Sequence, residues 1–133
     1  MMNYLYSHAT VLLLLAFMII TFLQSGFDKI LDWNGNLSWL KGHFSKTPFK
    51  NIVPLLLGIV LVCEMIAGIC CTIGIFEILT LGESKIAFYG GVMSCITLVF
   101  LLFGQRIAKD YEGARTIVVY FIPAIFLVYL LQA

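Results

Sequence analysis

The chain has 133 residues, 62% of them hydrophobic and 11% charged, with a formal net charge of +1. A soluble domain carries roughly 25% charged residues, so this balance excludes an ordinary water-soluble globule. The near-neutral charge gives no reason to expect nucleic acid as a partner.

The first apolar stretch predicts a helix over residues 5–31. Its leading segment holds no Lys or Arg, and no small-residue cleavage site follows, so it reads as a retained span rather than a signal peptide. Tyr4 and Tyr6 suit a membrane interface. The far end carries Gln24, Ser25, Gly26, Asp28 and Lys29.

A long connection, 32–51, follows. Asn34-Gly35 reads as a turn, and Asn36 as the cap of a short helix carrying Leu37, Leu40 and Phe44. With Trp33, Trp39, Lys41, His43, Lys46 and Lys50 nearby, that helix fits an interfacial position. An ordinary connecting loop is the alternative.

The second span is predicted over 52–76, with Pro54 in its first turn, where a missing N–H costs little. Glu64 lies in its middle. A carboxylate at the centre of a spanning helix costs about 2.5–3.5 kcal/mol on insertion scales, so it must turn inward. At helical spacing it shares a face with Leu57, Val60, Leu61, Ala67, Gly68 and Cys71. The small residues of that face allow close helix approach. A water-containing cavity with Glu64 at its floor, about 18 Å from the helix start at 1.5 Å per residue, is expected, with Lys29 or Arg106 near its mouth. The alternative is a packing role, through a hydrogen bond to Ser94, Thr97 or a tyrosine.

Residues 77–85 read as a turn around Gly82. The third span, 86–103, carries the close-packing pairs Ala87 with Gly91 and Gly90 with Ser94. The connection 104–115 holds Arg106, Lys109, Asp110, Glu112 and Arg115, a mixed-sign cluster that reads as a solvated, self-paired turn. The fourth span, 116–131, contains Pro123. The expected fold is therefore an all-α, four-transmembrane-helix bundle in one domain, with a short interfacial helix in the first loop.

Lys29, Lys41, Lys46, Lys50, Arg106, Lys109 and Arg115 fall at one end of such a bundle and Lys85 at the other. The positive-inside rule then puts the first and third loops in the cytoplasm and both termini outside. Cys63, Cys70, Cys71 and Cys95 lie within apolar runs and read as small buried hydrophobes; a Cys63–Cys95 redox pair is the alternative. No metal-ligand spacing is present. Neither His8 nor His43 lies mid-span, where a haem ligand belongs, so haem is not expected, and no catalytic residue can be named.

Gly26-Phe27-Asp28-Lys29-Ile30 resembles the end of the first helix in DoxX/DoxD-like membrane proteins, and Glu64-Met-Ile-Ala-Gly-Ile with Gly74 resembles that family's second-helix segment. The resemblance covers nearly the whole chain. The matching positions are Gly26, Lys29, Glu64 and Gly68. The basic residue that many members carry early in the first helix is missing, and the first loop is longer and more basic.

The resemblance implies a small membrane subunit of the bacterial inner membrane. It would serve a redox or cell-envelope complex, with other membrane or envelope subunits and lipids as partners. Quinone is the cofactor it suggests, near Glu64, Lys29, Asp28 and Arg106. Gly68, Ala87 and Gly91 are expected to pack helices; Trp33, Trp39 and Arg115 are expected to meet headgroups or partners. A non-catalytic accessory subunit is the leading reading. A structural or assembly subunit without a small ligand is one alternative, and a quinone-linked sulfur-compound oxidoreductase subunit is another.

Overall fold

The computed structural model describes residues 2–132. Among them there is no strand, and the helices are α1 (Met2–Ser7), α2 (Ala9–Leu31), α3 (Trp33–His43), α4 (Val53–Leu81), α5 (Lys85–Ile107) and α6 (Tyr111–Gln132). Four of them, α2, α4, α5 and α6, are long and apolar enough to cross a membrane. They pack in the order α2, α4, α5, α6, and α6 returns to touch α2. The Tyr4 ring lies against Gly82, between α4 and α5. His43, at the end of α3, meets Gln105 near the end of α5. Successive long helices therefore run up and down, with α1 at one end and α3 at the other.

The buried residues of α2 are Val11, Leu12, Leu15, Met18, Phe22 and Gly26, a stripe at three- and four-residue spacing. Large apolar side chains are also exposed all around the bundle: Leu13, Ile20, Leu55, Phe103, Ile122 and Tyr129 are each more than half exposed. In water such a surface would aggregate; in hydrocarbon it is the required one, because each helix already satisfies its own backbone. Burial can then be spent on small residues. A Cβ added to Gly74 would lie 2.6 Å from the Cα of Ala87, so α4 and α5 touch backbone to backbone. Gly68 meets Leu23 of α2, and Gly91 meets Leu127 and Val128 of α6. These contacts place Gly68, Ala87 and Gly91 at three different helix interfaces within one bundle.

The helix ends differ from the sequence expectations, each for a local reason. The helix predicted over 5–31 is broken at His8 (φ −122°, ψ 22°) into α1 and α2. The Ser7 hydroxyl stands 2.9 Å from His8 Nδ1 at that break. Asn34-Gly35 is no turn but part of α3, and the cap is Asp32 rather than Asn36: its carboxylate accepts from the Gly35 N–H at 3.2 Å. The Asn36 amide instead donates to the Asp32 carbonyl at 2.8 Å, tying α3 to the end of α2.

The predicted turn over 77–85 is mostly helix. Glu77 marks where the chain grows polar, but a polar residue does not end a helix. Gly82 does, in the left-handed conformation (φ 72°), with its N–H on the Ile78 carbonyl. Glu77 then turns out to have a structural task, since its Oε1 accepts from the Ile86 N–H at 3.0 Å and caps α5. Likewise α5 runs on to Ile107, past the predicted end at 103. α6 begins at Tyr111 rather than 116, because Asp110 caps it through the Gly113 N–H at 2.9 Å.

Gly74→Leu is expected to destabilise the detergent-solubilised protein by at least about 1–3 kcal/mol, the usual cost of overpacking. Gly58→Ala, with nothing within 4 Å of the added Cβ, should leave the melting temperature unchanged or slightly raised. Thermal unfolding of both variants, followed by size-exclusion profile, checks this; equal melting temperatures would show that α4 and α5 do not approach so closely.

Candidate functional site

Glu64 is buried, only 2% exposed. Of the expected face, Leu57, Ala67, Gly68 and Cys71 are buried with it, as are Val53, Gly74 and Ile78, while Val60 and Leu61 are only partly buried. Across the α2–α4 interface stands Lys29, whose Nζ lies 2.8 Å from Glu64 Oε1. That approach is not aligned as a hydrogen bond, and no other donor among the described residues reaches this oxygen. The hydrogen bond of Lys29 goes instead to Ser25 Oγ, one turn back on its own helix, at 2.7 Å. Glu64 is thus balanced by charge alone. Ser94 and Thr97, the sequence-suggested partners for a packing role, donate to the carbonyls of Gly90 and Met93 on their own helix.

Beside this pair lies a cavity of about 540 Å³ between α3, the α3–α4 connection, α4 and α5. Its walls are largely apolar and aromatic: Trp39, Phe44, Phe49, Leu57, Phe100 and Phe103 among them. Lys29 also lines it, with Asn36 and Gln105 as the other polar wall residues. Glu64 does not line it; it stands behind Lys29. Ile59, Phe100 and Phe103, on the cavity wall, are 44%, 50% and 57% exposed, so this side faces the surroundings of the bundle, where lipid would lie.

The remaining sequence candidates are placed elsewhere. Asp28 is exposed, and its carbonyl accepts from the Asp32 N–H. Arg106 is exposed with its guanidinium 4.9 Å from the centre of the Tyr111 ring, a cation–π contact outside the cavity wall. Trp39 is 62% exposed and stacks on His43 with ring centres 4.6 Å apart. Trp33 is half-buried and Arg115 exposed. The self-pairing expected of the loop charges does not occur: among the described residues the ion pairs are Lys29–Glu64 and His43–Asp110.

Two features were not anticipated. His43 Nε2 stands 2.9 Å from Gln105 Oε1 and 3.7 Å from Asp110 Oδ2, which fastens the end of α3 to the α5–α6 turn. Gln105 is also a cavity wall. A lone amide closing the long apolar run of α5 was the one available signal, and it is a weak one. Among the described residues no group of His, Cys, Asp and Glu is arranged to hold a metal ion, and the four cysteines are free.

Removing one partner of a buried ion pair strands the other charge, at about 3–5 kcal/mol. Lys29→Met should therefore destabilise the fold strongly, while Lys29→Met combined with Glu64→Leu recovers most of the loss. A double-mutant cycle on thermal or denaturant unfolding measures the coupling; additive effects would mean that the two side chains do not depend on each other. Comparison with models of known protein families, with curated proteins and with solved structures finds no match.

Proposed function

We propose that this chain is a DoxX-like integral membrane subunit that takes a quinone or another lipid-like molecule into the cavity beneath α3. In this reading it is a non-catalytic, accessory component of a redox or cell-envelope complex of the bacterial inner membrane. The observation that carries it is the cavity itself. Its 540 Å³ falls in the roughly 300–1,000 Å³ range of small-molecule sites. Aromatic walls suit a flat ring, and the exposed apolar side next to Ile59, Phe100 and Phe103 gives an alkyl tail a way out toward lipid.

The polar chemistry supports a neutral head. Lys29 brings a donor to the wall, but Glu64 at 2.8 Å cancels its charge. An uncharged carbonyl can accept from the ammonium without upsetting that balance, whereas a fully anionic head would compete with Glu64 for it. The reading that the small-residue faces dock a larger machine has less support, since Gly68, Gly74, Ala87 and Gly91 are in contact within the bundle. The membrane orientation proposed is the one with α3 and the lysines of the first loop in the cytoplasm and both termini outside.

Protein extracted from its native membrane in mild detergent should carry one enriched quinone or lipid, read by mass spectrometry of the organic extract. Val60→Trp, which puts bulk into the cavity wall, should keep the fold and lose about tenfold or more of that molecule, the scale of one large steric conflict. An extract with no enriched species, or equal amounts in wild type and Val60→Trp, would abolish the proposal.

A further inference from the structure

A second concavity, of about 330 Å³, is bordered by Gly42 and His43 at the end of α3, by the segment that follows and by the end of α5 with its turn to α6. Its wall contains Ser45, Lys46 and Thr47 from the first and Ile107, Ala108 and Lys109 from the second. Two lysines far apart in the chain thus border one hollow. Neither has an ion-pair partner among the described residues. Asp110, next in the chain to Lys109, is already engaged, capping α6 through Gly113 and facing His43. The walls are also held. Thr47 Oγ1 donates to the Phe44 carbonyl at 2.8 Å and accepts from the Phe49 N–H at 3.2 Å, which fixes the loop that carries Lys46.

The place of Lys109 is fixed by the end of α5. It is the one non-glycine residue with positive φ (60°) among the described residues. The conformation belongs to the turn that ends α5: the Lys109 N–H donates to the Arg106 carbonyl at 3.1 Å and the Asp110 N–H to the Gln105 carbonyl at 2.9 Å, the usual left-handed helix stop. Glycine is the usual residue at such a helix stop; here it is a lysine, which borders the same hollow as Lys46. Apolar Ile107 lies alongside, and exposed Phe103 is one turn back on α5. The hollow therefore combines two unpaired cations with an apolar flank at the basic end of a membrane bundle.

We infer that this hollow binds the phosphate of an anionic phospholipid, with Lys46 and Lys109 as its two cationic contacts and the Ser45 hydroxyl as a neutral donor. Basic pockets between spanning helices on the cytoplasmic side recognise such headgroups. The site is separate from the cavity of the proposed amphiphile and does not depend on it.

Native mass spectrometry of the full chain in detergent, titrated with phosphatidylglycerol, phosphatidylcholine or inorganic phosphate, tests this. One phosphatidylglycerol should be retained, and the pair Lys46→Gln with Lys109→Gly should weaken it roughly tenfold or more, given what each basic side chain contributes at an anionic surface. Lys109→Gly suits the positive φ, so the protein should remain folded. The pair Lys41→Gln with Lys50→Gln removes the same charge outside the hollow and should change binding by no more than about twofold, as diffuse charge is screened. Equal loss in both pairs, equal retention of phosphatidylcholine, or equally tight binding of inorganic phosphate would each overturn the lipid site.

Discussion

Taking a carboxylate and an ammonium out of water costs several kcal/mol per ion, even after the surroundings relax. This chain does so once within its spanning helices, at Glu64 and Lys29, and much of the structure follows. The pair ties α2 to α4 at one depth and one rotation. It requires the two helices to stand close, which Gly26 and Gly68 provide. Gly26 lies against Met65 and Leu61, and Gly68 against Leu23. With that register, Lys29, one turn beyond Gly26, falls level with the turn before Glu64.

The remaining gap is closed by helix geometry. Side chains lean toward the N-terminus of their own helix. In the antiparallel pair α2 and α4, Lys29 therefore leans inward from the basic end and Glu64 leans back toward that end. The hydrogen bond from Lys29 to Ser25, four residues earlier, shows this inward lean. A lysine near the end of one helix and a glutamate in the middle of the next can meet only because both lean in the right sense. The expectation of Glu64 at a floor with Lys29 near the mouth rests on rise along the axis, to which the direction of the side chains adds the rest.

That contrast marks what the residues reveal by themselves. Apolar runs of spanning length announce the long helices, and helical spacing picks out Leu57, Ala67, Gly68 and Cys71 as companions of Glu64. Both signals are local and periodic. The helix limits were less legible because a polarity change is not a helix stop: Glu77 lies inside α4 and caps the next helix, while Gly82 ends α4 through its left-handed backbone and Asp110 begins α6 through its carboxylate. The latch of His43 on Gln105 and Asp110 joins residues 62 apart in the chain and leaves no periodic trace. The same holds for the meeting of Lys46 and Lys109.

The two ends of the bundle are built differently, and this decides where the cavities lie. At the α1 end the connection between α4 and α5 is short, and Tyr4 sits against Gly82, so that end is filled by packing. At the other end α3 contributes no buried residue. It is held mainly by hydrogen bonds at its two termini, through Asp32 and Asn36 at the start and His43 at the finish. A helix fixed at its ends but not packed along its length leaves space beneath it, and the larger cavity lies there. Lys29 reaches that space from within the bundle, whereas Lys46 and Lys109 border the smaller hollow at the outer face. The latch at His43 stands between an apolar chamber bordered by a neutralised cation and a smaller hollow bordered by two lysines that have no ion-pair partner among the described residues.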